Sequence, residues 1–155
     1  MYFHTVKISA LFILLIICSC SLSSSQKKEL NQALNEYIYA RNNNVLSSIE
    51  EYTYPKIVSF YNNNGDSSFV KKYDFDLKDR DVTFRDGIIR ELQEERDIIH
   101  VKYNFQRVEV SVEGASTSPT FIYALSEDSG KSWFFLDEED YLNDEIVPLT
   151  KRLIL

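Results

Sequence analysis

Cysteine, glycine and histidine are all scarce in this sequence, and each scarcity excludes a class of functional site. The two cysteines, Cys18 and Cys20, lie near the N-terminus, so the rest of the chain has no pair that could form a disulfide. Four glycines and two histidines leave no Gly-rich phosphate loop, no nicotinamide fingerprint and no Cys/His metal cluster. We therefore expect no metal and no cofactor, and no linear motif assigns a catalytic residue.

Positive charge is also in deficit. The chain has 17 Lys and Arg residues against 24 Asp and Glu residues, which gives a formal net charge of -7. Domains that bind nucleic acid carry basic stripes that follow the phosphates, and this acidic sequence contains no such stripe. We expect no nucleic-acid partner.

A hydrophobic run long enough to cross a bilayer is missing too. The apolar stretch from Leu11 to Cys18 is shorter than the ~20 residues that a transmembrane helix needs. Lys7 precedes the stretch and a Ser-rich segment follows it, which is typical of a secretory signal peptide. Its end, Ile17-Cys18-Ser19-Cys20, resembles the bacterial lipobox. We predict that residues 1–19 are a lipoprotein signal peptide and that Cys20 is the lipid-attachment residue; the alternative is an unmodified cysteine.

Lipidation at Cys20 would anchor the mature protein to a membrane of the bacterial cell envelope, facing the periplasm or the cell surface. Residues 20–25 would then form a flexible tether, because a Ser-rich segment has little apolar surface to bury. Residues 26–155 suit one domain and are too few for two.

Apolar residues recur at helical spacing through the first half of this domain. The spacing predicts one helix from Gln26 to Arg41, which Asn42-Asn43-Asn44 ends, and a second over residues 45–52. Pro55 suits the first turn of a third helix. A fourth helix follows, with a predicted inner face of Phe69, Val70 and Tyr73.

After residue 78 the pattern changes to an alternation of apolar and polar residues, which predicts antiparallel strands. In the clearest strand the alternation places His100 on the face opposite Val101, Tyr103 and Phe105. We therefore expect His100 on the solvent face. The alternative is a general acid or base inside the fold, since a histidine titrates near neutral pH.

Three features of the strand pattern predict irregular backbone. Gly87 indicates a bend or bulge in the first strand. The valines at 108, 110 and 112 are one residue out of step with the preceding apolar set, which predicts a bulge or a strong bend near Gln106 and Arg107. Residues 113–119, EGASTSP, have the composition of a turn.

A turn motif joins the last two predicted strands. Ser126, Asp128, Gly130 and Trp133 fit the pattern S-x-D-x-G-x-S/T-W, which resembles the Asp-box of sialidases and related β-propellers. A propeller repeats such a unit in every blade, and this sequence has one copy. We therefore predict a structural turn in which Asp128 accepts hydrogen bonds from backbone N–H groups and Trp133 packs beneath the loop.

Two stretches resemble a known family. They are Glu51–Val58, EYTYPKIV, and Ser126–Asp137, SEDSGKSWFFLD, and they look like segments of uncharacterised secreted proteins of Bacteroidetes bacteria. Those proteins are similar to the nuclear transport factor 2-like (cystatin-like cone) superfamily. The resemblance covers residues 26–147 and implies an α+β fold, with N-terminal helices packed on a strongly bent antiparallel sheet and a pocket inside the cone. It implies no reaction, because superfamily members include enzymes, carriers and scaffolding domains.

Aromatic residues on the strands are the candidate pocket lining. The set consists of Tyr103, Phe105, Tyr123 and Trp133, with His100 as a polar member; ordinary core packing is the alternative. The acidic run from Asp137 to Asp140 suits the N-terminus of a helix that Pro148 ends better than a calcium site, because no flanking loop supplies further ligands.

These observations favour a lipid-anchored envelope domain that binds a small apolar ligand or a protein partner without catalysis. One alternative is a small pocket enzyme, an isomerase, dehydratase or hydrolase, that uses His100 or a tyrosine. Another is an interaction module that forms a homodimer through an exposed sheet face.

Overall fold

The computed structural model describes residues 21–64, 68–78 and 81–152. The predicted signal peptide and Cys20 lie outside these residues. The described part contains helices first and strands second, and a short helix and a 3-10 turn follow the strands. The elements are α1 (Ser24–Asn43), α2 (Leu46–Tyr52), α3 (Pro55–Asn63), α4 (Phe69–Lys78), β1 (Asp81–Glu95), β2 (Ile98–Ser111), β3 (Gly114–Ser126), β4 (Phe134–Asp137), α5 (Glu138–Tyr141) and the 3-10 turn Leu149–Lys151.

The predicted α+β class is confirmed. The four strands form one antiparallel sheet in the order β1-β2-β3-β4. Helix α1 packs on the inner face of this sheet, where Tyr37 stacks on Phe135 with ring centroids 4.8 Å apart. None of the described helices is both long and apolar enough to cross a membrane.

Helix α1 begins earlier than its apolar pattern indicates. Ser23 is the N-cap, and its side chain accepts a hydrogen bond from the Gln26 backbone while the Gln26 side chain accepts one from Ser23. This capping box stabilises a start at Ser24. Leu22 is buried as well. Residues 22–25 of the predicted tether are therefore part of the folded domain, because a Ser-rich segment also supplies helix caps.

The residues that end α1 and begin α3 have the roles that the sequence predicts for them. Asn44 takes the left-handed conformation that ends α1, with φ of 56°, and Pro55 occupies the first turn of α3. Phe69 and Tyr73 are buried in α4, whereas Val70 is 51% exposed. The prediction of Val70 as an inward residue is wrong, because residues 69 and 73 define the buried stripe and residue 70 lies beside it.

The bulges lie on β1 and not on β2. Arg85 pairs with Gln106 and Ile88 pairs with Asn104, so Asp86 and Gly87 together face Phe105. A second register shift falls between Ile89 and Glu91. The predicted bend or bulge at Gly87 is confirmed as a bulge. A bulge in β2 near Gln106 and Arg107 is wrong, because β2 pairs with β3 without interruption and the register shift opposite Gln106 has its extra residues on β1. Val108 and Val110 instead lie on the outer face of the sheet, and Val112 lies in the turn between β2 and β3.

Two other boundaries differ from the prediction. Strand β3 begins at Gly114, so most of the predicted turn over residues 113–119 is strand, paired with the distal half of β2. Helix α5 ends at Tyr141 and not near Pro148. Asp137 is at its N-cap position but makes no capping hydrogen bond, because its carboxylate pairs with Arg41.

The chain from residue 141 to residue 152, which we call the C-terminal segment, covers the outer face of the sheet at one end. Tyr141, Ile146 and Val147 are all buried, and the Tyr141 ring stacks on Tyr123 of β3 at 3.8 Å. The sheet is therefore covered by helices on its inner face and, over part of its length, by the C-terminal segment on its outer face.

Candidate functional site

The turn between β3 and β4 is held by its own side chains. Asp128 Oδ1 accepts hydrogen bonds from the backbone N–H groups of Lys131 and Ser132 at 3.0 and 2.9 Å. Ser126 Oγ accepts from the Gly130 N–H at 2.8 Å, and the Trp133 indole N–H donates to the Gly130 carbonyl at 3.1 Å. Gly130 has φ of 82°, a conformation that glycine adopts without strain.

These bonds make Asp128 strongly acidic. Burial acts to raise its pKa, but the hydrogen bonds from Ser132, Ser126 and Lys131 outweigh burial and lower the pKa to about 2. The carboxylate is thus occupied within the turn and is not aimed at a substrate.

The five residues of the candidate pocket do not share one cavity. Tyr103 and Phe105 lie on the inner face, where their rings are 6.0 Å apart and both are buried. Tyr123 and His100 lie on the outer face beneath Tyr141. Trp133 packs under its own turn.

His100 is buried, with 5% of its surface exposed, so its predicted place on the solvent face is wrong. Its Nδ1 lies 3.1 Å from the Tyr141 hydroxyl, and the two rings meet edge to face. Burial lowers the pKa of His100 to about 4; Glu127 opposes this shift and Lys151 adds to it. The imidazole is therefore neutral near pH 7 and is covered by the C-terminal segment.

Arg41 is the centre of a charged cluster in the interior. Its Nη1 donates to the Tyr37 hydroxyl at 2.8 Å and to both carboxylate oxygens of Asp137 at 3.2 and 3.3 Å. The guanidinium also lies over the rings of Tyr73 and Phe84, 5.0 and 4.8 Å from their centroids. These contacts compensate the burial of the charge, and they fill the inner side of the sheet with protein side chains.

A second buried ion pair joins three helices. Lys72 Nζ of α4 lies 2.7 and 2.8 Å from the Asp140 carboxylate oxygens of α5, and the Tyr61 hydroxyl of α3 donates to Asp140 at 2.9 Å. Asp140 is 1% exposed. Within the part of the chain that the structure describes, no three His, Cys, Asp or Glu side chains gather to hold a metal ion.

Sequence reasoning missed both ion pairs. Arg41 follows Tyr37 by four residues on one helix face, and a charged residue within an apolar stripe was the available signal. Its partner Asp137 is 96 residues away along the chain, which no local pattern indicates.

The outer face of the sheet is uncovered beyond the C-terminal segment. Ile88 is 55% exposed and Val110 is 46% exposed. Strand pairing places them on the same face as Val108 and Phe121. We call this set the distal outer face; its members are Ile88, Val108, Val110, Pro119 and Phe121. Polar residues of the same face, among them Arg85, Asn104 and Gln106, lie between these side chains.

A surface cleft of about 330 Å³ lies where α1, α2 and the β3–β4 turn meet. Tyr52, Trp133, Phe134 and Glu29 are among its lining residues. Of the five candidate pocket residues, Trp133 alone contributes to it.

Neither the protein-family models nor the curated proteins with which the sequence was compared gave a match. The function is therefore argued from the geometry of the chain itself.

Proposed function

We propose that this chain is a lipid-anchored domain of a bacterial envelope, of the nuclear transport factor 2-like fold, that binds a protein partner through its distal outer face without catalysis. The observation that carries the proposal is the exposure of Ile88 and Val110 on the part of the outer face that the C-terminal segment does not cover. Large contiguous patches of exposed apolar side chains are typical of protein–protein interaction sites.

The order of helices and strands is compatible with the cone fold. The two stretches that carry the family resemblance also meet in space, because Thr53 bridges to Phe135 and the Tyr54 N–H donates to the Phe135 carbonyl at 3.1 Å. They therefore belong to one structural unit at the β4 edge of the sheet. This supports the proposed family assignment without adding a reaction.

The interior favours a protein partner over a small apolar ligand. The residues that would line a cone pocket contact one another: Arg41 lies over Tyr73 and Phe84, and Tyr103 lies beside Phe105. An apolar ligand needs a concave apolar site, and at these positions side chains fill the space.

The groups that an enzyme would use are engaged in structural contacts. His100 is held under Tyr141, and Asp140 is paired with Lys72 and Tyr61. A general acid or base needs access to its substrate, so these contacts favour binding over catalysis.

The partner that fits this surface is a protein with an apolar centre and a basic rim. The chain is acidic overall, with a net charge of -7, and complementary charge speeds association and excludes other acidic proteins. The apolar patch would supply most of the affinity, because buried side chains at the centre of an interface dominate binding energy.

Site-specific photo-crosslinking in cells that make the full chain tests this proposal. A photoreactive residue at Val110 should give one discrete adduct, whereas the same residue at Tyr39, which is 63% exposed on α1, should give none. The partner identified from the adduct is then purified, and Val110→Asp should weaken its binding at least about tenfold, a loss of ~1.4 kcal/mol.

The matched control is Tyr39→Asp, which should leave the affinity unchanged. Equal adducts from positions 110 and 39, or equal affinities of the two variants, would contradict the proposal. An adduct of twice the mass of the chain would show that the partner is a second copy of this chain.

A further inference from the structure

The folded domain begins very close to the proposed lipid-attachment residue. Leu22 belongs to the hydrophobic core, and Ser23 caps α1 through reciprocal hydrogen bonds with Gln26. Only three residue steps separate Cys20 from Ser23, and at ~3.5 Å per residue they can span at most about 10 Å. A chain this short allows little separation between the lipid and the protein.

Three segments are tied together at this end of the molecule. The Gln26 side-chain amide donates to the Ser129 carbonyl of the β3–β4 turn at 2.9 Å. The Ser129 N–H and hydroxyl in turn donate to the Asp97 carbonyl and carboxylate of the β1–β2 turn, each at 2.8 Å. A Cβ added to Gly130 would lie 2.7 Å from Gln26 Cγ, so α1 sits tightly against the turn.

The opposite end of the sheet is far from this surface. Strand β2 runs from Ile98, beside the β1–β2 turn, to Ser111. Its 14 residues rise ~3.3 Å each, which separates the two ends by roughly 40 Å along the strand. Val112 is fully exposed in the turn at the far end.

We infer that the end formed by the start of α1, the β1–β2 turn and the β3–β4 turn rests against the lipid bilayer, so that the protein stands on the membrane in a fixed orientation. We call this end the anchor end and define it by Ser23, Gln26, Asp97 and Ser129. The inference rests on the proposed lipid anchor at Cys20.

In this orientation the length of the β2–β3 hairpin determines how far the distal outer face lies from the membrane. The hairpin carries Val108 and Val110 of the distal outer face away from the lipid, so a partner reaches them from the aqueous side. A flexible tether would let the domain rotate, whereas the short connection presents the patch at a set height.

Fluorescence energy transfer on the lipidated full chain tests the orientation. With Cys18 in the signal peptide and Cys20 blocked by lipid, the mature chain has no free thiol, so a single introduced cysteine takes the dye. The lipoprotein is reconstituted into phosphatidylethanolamine–phosphatidylglycerol vesicles that contain a rhodamine lipid. We expect strong transfer from Lys131→Cys and at least severalfold weaker transfer from Val112→Cys.

Inserting ten Gly and Ser residues between Ser21 and Leu22 provides the matched control, and it should bring the two transfer efficiencies close together. Equal energy-transfer efficiencies from the two positions in the chain without the insertion would contradict the orientation but not the lipid anchor. Metabolic labelling of the wild type and of Cys20→Ser with a fatty-acid analogue separates the two failures: a wild-type chain that takes up no more label than the variant would overturn the anchor and, with it, the orientation.

Discussion

His100 and Arg41 show how ionisable side chains are accommodated in the interior of this protein. His100 is kept neutral and meets Tyr141, whereas Arg41 keeps its charge because Asp137 and aromatic rings surround it. The Arg41 pKa is raised well above its usual value; burial acts to lower it, but Asp137, Tyr37 and Tyr73 together outweigh burial. Each solution depends on partners that come from distant parts of the chain.

The buried imidazole predicts a specific pH dependence of stability. Burial lowers the His100 pKa to about 4, whereas an unfolded histidine titrates near ~6.5. Between these values the unfolded chain binds a proton that the folded chain does not. The free energy of unfolding should therefore fall as the pH drops from ~6.5 towards ~4, by up to about 2 kcal/mol between pH 7 and pH 5, and histidine should contribute no slope above pH 7.

Urea unfolding of the domain lacking residues 1–19, at pH 7, 6 and 5, measures this slope. His100→Gln removes the titrating group, so the free energy of unfolding of this variant should change less with pH than that of the wild type. His4 is the other histidine of the sequence and lies in the predicted signal peptide, so no second imidazole complicates the comparison. Parallel slopes for the two proteins would contradict a depressed His100 pKa.

At the scale of elements, β1 differs from its neighbour β2. It is an edge strand of 15 residues, and an edge of that length invites pairing with other chains. The two register shifts interrupt its ladder, and Asp86 takes a positive φ of 55°. Bulges of this kind bend the strand and protect the edge.

Gly87→Ala should destabilise the protein through the first bulge. A Cβ at this position would lie 2.5 Å from two ring atoms of Phe105, and overpacking a core typically costs about 1–3 kcal/mol. Chemical denaturation in the Phe105→Leu background checks the cause, because a smaller side chain relieves the clash. The cost of Gly87→Ala should be smaller there; the same cost in both backgrounds would show that the ring contact is not responsible.

On the scale of the whole molecule, the last described residues close the core. Ile146 and Val147 are buried, and Lys151 Nζ lies 2.7 Å from Glu127 of the β3–β4 turn. The C-terminal segment thus joins the outer face of the sheet to the end where α1 begins. The helices, sheet and C-terminal segment share one hydrophobic core.

Ile146→Ala should therefore lower the stability of the entire domain. Ile146 is fully buried, and truncating such a side chain costs about 2–5 kcal/mol. The unfolding transition, followed by fluorescence and by circular dichroism, should move to lower denaturant as a single step. Leu149→Ala is the control, because Leu149 is 69% exposed and its change should stay within about 0.5 kcal/mol. Separate transitions by the two probes would mean that the segment unfolds on its own.

The sequence by itself determined the features that neighbouring residues create. Asn44 ends α1, Pro55 begins α3, and Asp128 bonds to the turn that contains it. Each depends on the backbone preference of one residue or on hydrogen bonds that span a few residues. The α+β order follows from the change of apolar period near residue 78 for the same reason.

Only the tertiary structure decided which surfaces are covered. The alternation in β2 separates the two faces correctly, but His100 is buried because residues near 141 fold over the outer face. The bulge lies on β1 because register belongs to a pair of strands and not to one. Tyr103, Phe105, Tyr123 and Trp133 were therefore identified as core or pocket aromatics but could not be assigned to a common site, since burial arises from contacts between segments far apart in the chain.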